Sequence, residues 1–192
     1  SWRDTTLTLK LAKKAEAYLV IHPNKNFESH LKNNQAYVYS IIGNYAKAYE
    51  FVIDAKELAN VTSNVVQLAK SYQIEGAILL KQGLQGESLQ ALLKSLDLRK
   101  KIDSKKVFAI TQYISLYYRE IKDYKTYLEY GYLLLNLAEA KTVDSYKGAA
   151  EYTIGEALLK LGDYDKAQEF IEQSIEIYKE QKTNYISEAY LT

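Results

Sequence analysis

The side chains best able to carry acid–base or metal chemistry near neutral pH are two histidines, His22 and His30. They stand eight residues apart across a segment containing Pro23-Asn24, whereas a helical zinc site needs two imidazoles four residues apart on one face. His22 is expected to decorate a loop and His30 a surface. Gly83-Leu84-Gln85-Gly86 has the glycines of a phosphate cradle but not the Lys-Ser/Thr that ends one. Carboxylate pairs such as Glu169 and Glu172 fall where a solvated helix face is expected. The chain has no Cys, which excludes disulfides, thiolate catalysis and Cys-ligated metal from it. No catalytic residue, metal site or cofactor is therefore expected.

The chemistry that remains is recognition. Nineteen tyrosines offer rings for packing or for cation–π contact, and most are expected to pack. Tyr45, Tyr124 and Tyr164 follow turns, and Tyr39 and Tyr118 sit at interhelix positions. Twenty-five basic against 24 acidic residues leave a net charge of +1, so neither nucleic acid nor an anionic membrane surface is expected as the main partner. No apolar run approaches the roughly 18 residues that span a bilayer.

The elements that position these groups are legible from four turn signals. Gly43-Asn44-Tyr45, Gly83-Leu84-Gln85, Lys122-Asp123-Tyr124 and Gly162-Asp163-Tyr164 recur at intervals of 40, 39 and 40 residues. A unit of this length is one helix–turn–helix that cannot bury its apolar face alone and must stack on its neighbours. With 47% hydrophobic residues and one Pro, the chain reads as all-α. The apolar spacing predicts helices over residues 4–21, 28–41, 46–60, 64–82, 87–102, 105–121, 124–141, 146–161, 164–181 and from 184 onward. Cap residues are expected within His22-Pro23-Asn24, Asn60-Val61-Thr62-Ser63, Asp103-Ser104 and Asp144-Ser145.

Residues around the turns agree as well as their spacing. The last unit reads Ile154-Gly155-x-x-Leu158, then Leu161-Gly162-Asp163-Tyr164-Asp165-Lys166-Ala167-x-x-x-Ile171-x-x-Ser174. The first supplies Tyr39, Ala48, Val52 and Ala55, and the second Gly76, Leu79, Ser88, Leu92 and Ser95. This pattern resembles the tetratricopeptide repeat (TPR), in units longer than the commonest form and without its terminal Pro. The small residues let two helices approach, and the larger residue four positions on fills the groove so made. In the third unit Tyr127 takes the small position and Gly131 the bulky one, which reads as compensated packing, with a kink at Gly131 as the alternative.

The resemblance implies a right-handed solenoid of helical hairpins spanning residues 1–192. Its four full repeats fall at about 29–68, 69–107, 108–147 and 148–187, with a half repeat at each end. Both ends read as cut from a larger protein. In TPR arrays the first helices of successive units line a concave groove. That places Asn33, Asn34 and Tyr37, then Gln73 and Lys81, then Gln112, Tyr113 and Arg119, then Tyr152 and Glu156 on the binding surface. His30, Lys70, Ala77, Leu116, Thr153 and Lys160 accompany them there. One column, Asn33, Gln73, Gln112 and Tyr152, is expected to meet an extended peptide backbone, because carboxamides both donate and accept. The terminal-carboxylate clamp of chaperone-binding TPRs is not expected, since Asn33 and Tyr37 stand where it needs Lys and Asn.

The function implied by the resemblance is that of a protein- or peptide-binding module and not an enzyme. The roughly 40-residue unit resembles the TPR sensor regions that precede diguanylate cyclase (GGDEF) or histidine kinase modules in bacteria. The TPR part of intracellular peptide-pheromone receptors and a structural scaffold stand as alternatives. A homodimer is a further open possibility for the partner. The resemblance leaves periplasm and cytoplasm equally open.

Overall fold

The computed structural model describes residues 5–102, 107–140 and 144–180. The helix expected from 184 onward and the caps expected at Asp103-Ser104 lie outside the described residues. Among the described residues there are nine helices and no strand. The chain divides into two compact units, Ser1–Ser104 and Lys105–Thr192, each described by itself.

The first unit holds α1 (Thr5–Ile21), α2 (Lys25–Ile41), α3 (Tyr45–Val61), α4 (Val65–Lys81) and α5 (Gln85–Ile102). Consecutive helices pack together, with α2/α3 and α4/α5 as tight hairpins. Ala36, Ala48, Val52, Ile74 and Ile78 form a core cluster here, with Tyr37, Tyr45 and Tyr49 against it. The second unit holds α6 (Phe108–Glu120), α7 (Tyr124–Glu139), α8 (Asp144–Leu161) and α9 (Tyr164–Glu180). Its cores are Phe108, Leu134, Ala138 and Ala150, then Ile154, Leu158 and Ala167.

The hairpin turns share one construction. The amides of Asn44, Leu84, Asp123 and Asp163 each donate back five residues, to the carbonyls of Tyr39, Leu79, Tyr118 and Leu158. This closes the helix in a left-handed residue, which is Gly43 (φ 78°), Gly83 (φ 80°), Lys122 (φ 63°) or Gly162 (φ 88°). The residue after it starts the next helix: the Asn44, Asp123 and Asp163 side chains accept from Lys47, Thr126 and Lys166 N–H groups. Between α1 and α2 the cap is Asn24, as expected, and α2 begins at Lys25, three residues early. Between α3 and α4 the cap is Asn64, one residue beyond the expected group, because Ser63 takes the left-handed conformation (φ 51°) that ends α3.

Inside each hairpin, close approach is set by the small residues. A Cβ on Gly76 would lie 2.7 Å from Leu92 Cγ, and one on Gly155 would lie 2.6 Å from Ile171 Cγ1. In α6/α7 the exchange at Tyr127 and Gly131 is compensated packing, and α7 runs unbroken from Tyr124 to Glu139. A Cβ on Gly131 would meet Ile154 Cγ1 at 2.8 Å, so α8 fills the space. Tyr127, 1% exposed, points its hydroxyl at Glu156 Oε2, 2.7 Å away.

A second recurring bond joins three of the four hairpins, at positions 29/55, 69/95 and 148/174, the equivalent pair in α6/α7 being 108/134. Ser29 Oγ donates to the Ala55 carbonyl at 2.9 Å, whereas Ser95 and Ser174 donate the opposite way, to Ala69 (2.6 Å) and Gly148 (2.8 Å). In the third hairpin Phe108 and Leu134 replace the bond with apolar core. A buried hydroxyl must be paired or absent, and both solutions appear.

Candidate functional site

In the first unit the predicted binding amides are engaged by the unit's own side chains. Asn33 is fully buried: its Nδ2 donates to the Gln67 carbonyl and Oε1, each at 3.1 Å, and its Oδ1 accepts from Ser71 Oγ at 2.9 Å. It ties α2 to α4, so the first member of the expected amide column is buried and bonded inside the unit. Asn34 accepts from Lys70 Nζ at 2.8 Å, and Gln73 accepts from Arg99 Nη2 at 2.9 Å. Tyr37 packs on the core, and Lys81 is exposed at the end of α4. His30 lies at the surface with Nδ1 3.2 Å from Gln67 Nε2. Desolvation and the Lys70 cation hold its pKa below the ordinary imidazole value, against the opposing Gln67 bond.

The second unit brings predicted residues together. Gln112, Leu116 and Arg119 of α6 and Tyr152 and Thr153 of α8 line one cleft of about 500 Å³. Residues 112, 116 and 119 share a face of α6 by helical spacing, as 149, 152 and 153 do on α8. Between Phe108 and Arg119 the cleft follows α6 for about 16 Å. At one end Phe108 and Tyr146 stack with centroids 4.2 Å apart, and Tyr178 of α9 closes the wall. At the other end Arg119 meets Glu156.

The polar end is a compact network. Glu156 is 8% exposed and its Oε2 accepts from the Tyr127 hydroxyl at 2.7 Å and from Arg119 Nη1 at 3.4 Å. Arg119 Nη2 also reaches Glu120 Oε1 at 3.3 Å. Desolvation works against the Arg119 cation, but Glu156, Tyr127 and Glu120 together outweigh it and raise its pKa. Burial, and then the Glu156 charge, push the Tyr127 hydroxyl far up, so it stays a neutral donor. Glu156 is thus held by Arg119 and Tyr127 at this end, and Tyr113 is half-buried beside the cleft without lining it.

The sequence reading missed Phe108, Tyr127, Tyr146 and Tyr178 as cleft residues. Tyr127 and Tyr178 come from second helices of hairpins, which a search of first-helix faces passes over. Among the described tyrosines only Tyr18, Tyr132 and Tyr164 are exposed, so Tyr164 is an exception to the packing expected of the turn tyrosines. Tyr39 on Phe51 and Tyr118 on Tyr130 form equivalent stacked pairs in two hairpins.

Among the described residues no group of three His, Cys, Asp or Glu is arranged to hold a metal ion, and no helix is long and apolar enough to cross a membrane. No curated protein matches the chain in sequence. The tetratricopeptide-repeat family model matches residues 152–181. Among solved structures, a Rap protein complexed with competence and sporulation factor is similar at 16% identity and TM-score 0.86 over 96% of this chain and 52% of that one. The apo form of RapI is 18% identical with TM-score 0.76, over 94% of this chain and 66% of that one. A STAND signal-transduction ATPase with a tetratricopeptide-repeat sensor, from Pyrococcus horikoshii, is 20% identical with TM-score 0.78, over 94% of this chain and 28% of that one. The chain thus spans under two thirds of each of these structures. With one repeat matched directly and solved structures of this fold similar over nearly the whole chain, the chain has a tetratricopeptide-repeat-like fold of helical hairpins.

Proposed function

We propose that the chain is a protein- or peptide-recognition module whose second unit takes an extended segment along the cleft between α6 and α8. The observation that carries this reading is the convergence of Gln112, Arg119 and Tyr152 on one elongated cleft with aromatic walls. Gln112 offers both a donor and an acceptor to a peptide group. The apolar end, with Phe108, Tyr146 and Tyr178, takes an apolar or aromatic side chain of the segment. No catalytic step is assigned to these residues.

The reading extends to the input region of a larger bacterial signalling protein of the cyclase or kinase type. Likeness to a STAND ATPase that has a tetratricopeptide-repeat sensor supports a sensory role. Likeness to a Rap protein complexed with competence and sporulation factor supports the second reading, the TPR part of an intracellular peptide-pheromone receptor.

The test is a display library of random peptides selected on the whole chain, followed by titration of a selected peptide against Gln112→Ala and Tyr152→Ala. Loss of binding by about ten-fold or more in each variant, with helicity and melting unchanged, is expected. Unchanged affinity in both variants would remove the cleft assignment.

A further inference from the structure

Residues at equivalent positions meet between the two helices of three hairpins: Lys32 and Asp54 in α2/α3, Tyr72 and Lys94 in α4/α5, and Glu151 and Gln173 in α8/α9, where they border a notch. In the first two, the pair supplies its own cation. Lys32 Nζ lies 3.4 Å from Asp54 Oδ2 and 5.0 Å from the Phe51 ring centroid. Lys94 Nζ lies 5.5 Å from the Tyr72 ring, which also carries Lys56 Nζ at 5.1 Å.

The last hairpin has an acid where the first two have a cation or a ring, and an amide opposite it. Glu151 is 3% exposed, and its Oε2 is buried without a hydrogen-bond partner. Lys147, one turn earlier on α8, lies 3.7 Å from the other oxygen, Oε1, and is itself half-exposed. Gln173 turns its Nε2 to Glu169 Oε1 at 3.5 Å. Glu169, Glu172 and Glu176 border the same opening, about 580 Å³ in volume, with Ile177 as an apolar wall. None of these residues lines the α6/α8 cleft.

We propose that this notch docks a basic side chain of a protein partner, with Glu151 Oε2 as the buried acceptor and the α9 glutamates as a rim for neighbouring basic residues. Burying a carboxylate oxygen unpaired is costly, and an incoming ammonium or guanidinium satisfies it. Ile177 packs the aliphatic stem that such side chains carry. Glu169, Glu172 and Glu176 extend for about 10 Å along α9, which suits a basic stretch of chain better than a single small cation. Burial pushes the Glu151 carboxyl up in pKa, opposed by Lys147. A cation seated at Oε2 reverses that push.

The test titrates the whole chain with a labelled hexa-arginine peptide by fluorescence anisotropy, with hexa-glutamate as the counter-probe. Glu151→Gln preserves the shape and is expected to weaken hexa-arginine by about ten-fold or more, while Lys147→Ala, which removes the internal competitor, tightens it. In the wild-type chain the Glu151 carboxyl resonance is expected to titrate at lower pH once the peptide is bound, and this readout stands even if a variant fails to fold. Affinity in Glu151→Gln within about two-fold of wild type, with an unmoved Glu151 titration, would overturn the proposal. It would be overturned equally if spermidine, a cation without a peptide chain, moved the Glu151 titration as far and bound as tightly.

Discussion

At the scale of single residues, the repeated turn exposes one position that departs from its equivalents. Lys122 holds a left-handed conformation (φ 63°) where Gly43, Gly83 and Gly162 hold it without a Cβ. An L-residue pays about 1–2 kcal/mol there, and glycine returns about 0.4–1 kcal/mol of that through the greater freedom of its unfolded chain. Lys122→Gly is therefore expected to stabilise the chain by about 0.5–1 kcal/mol, read as a higher denaturation midpoint at unchanged slope. A lower midpoint would mean that Lys122 makes contacts worth more than the strain. Residue chemistry was also where the sequence was least informative. Asn33 has the spacing of a groove residue, and only the approach of Gln67 and Ser71 from α4 shows its amide consumed inside. Glu151 has the spacing of an ordinary helix charge, and only its burial against α9 distinguishes it.

Elements were far more legible, because turns and close approaches each demand particular residue types. The glycine or Asn/Asp at each turn and the small residue in each hairpin are local requirements, so periodic spacing located the hairpins within a few residues. Caps make the second unit's stability depend on acid. Hydrogen bonds from Thr126 and Lys166 lower the Asp123 and Asp163 pKa values. Their contribution is complete above the unfolded carboxylate value near pH ~4 and is lost as pH falls through the lowered folded values. Glu151 acts oppositely: its raised carboxyl disfavours folding above the folded value, and falling pH relieves this. The double variant Asp123→Asn with Asp163→Asn keeps neutral caps, so its melting temperature should fall less than that of wild type on acidification through this range. Equal loss in both proteins would assign the acid sensitivity elsewhere. Close approach gives a second element-scale expectation. A Cβ on Gly155 would stand 2.6 Å from Ile171 Cγ1 and 3.1 Å from the Ala167 carbonyl. Gly155→Ala should cost about 1–3 kcal/mol by overpacking, and Ile171→Ala, which removes the clashing Cγ1, should cost less in that background than in the wild type. A neutral result would show that α9 gives way freely.

For the whole molecule, a net charge of +1 means that no long-range field selects between cations and anions. Selectivity must come from how each surface settles its own charges. In the α6/α8 cleft Arg119 is already answered by Glu156 and Glu120, so a segment lying there meets aromatic walls and a compensated guanidinium. At the α8/α9 notch Glu151 is incompletely answered and three more glutamates stand at the rim. Salt separates the two modes, because the screening length falls from about 10 Å at 0.1 M to about 3 Å at 1 M. A peptide selected for the cleft should keep its affinity within about two-fold between roughly 0.05 and 0.5 M sodium chloride, while hexa-arginine should lose about ten-fold or more. Parallel salt slopes for the two peptides would mean that they share one site, and the division of labour between cleft and notch would fall. Distinct slopes, with both peptides bound at once, would instead make the second unit a two-sided adaptor, one face reading an extended segment and the other a basic one.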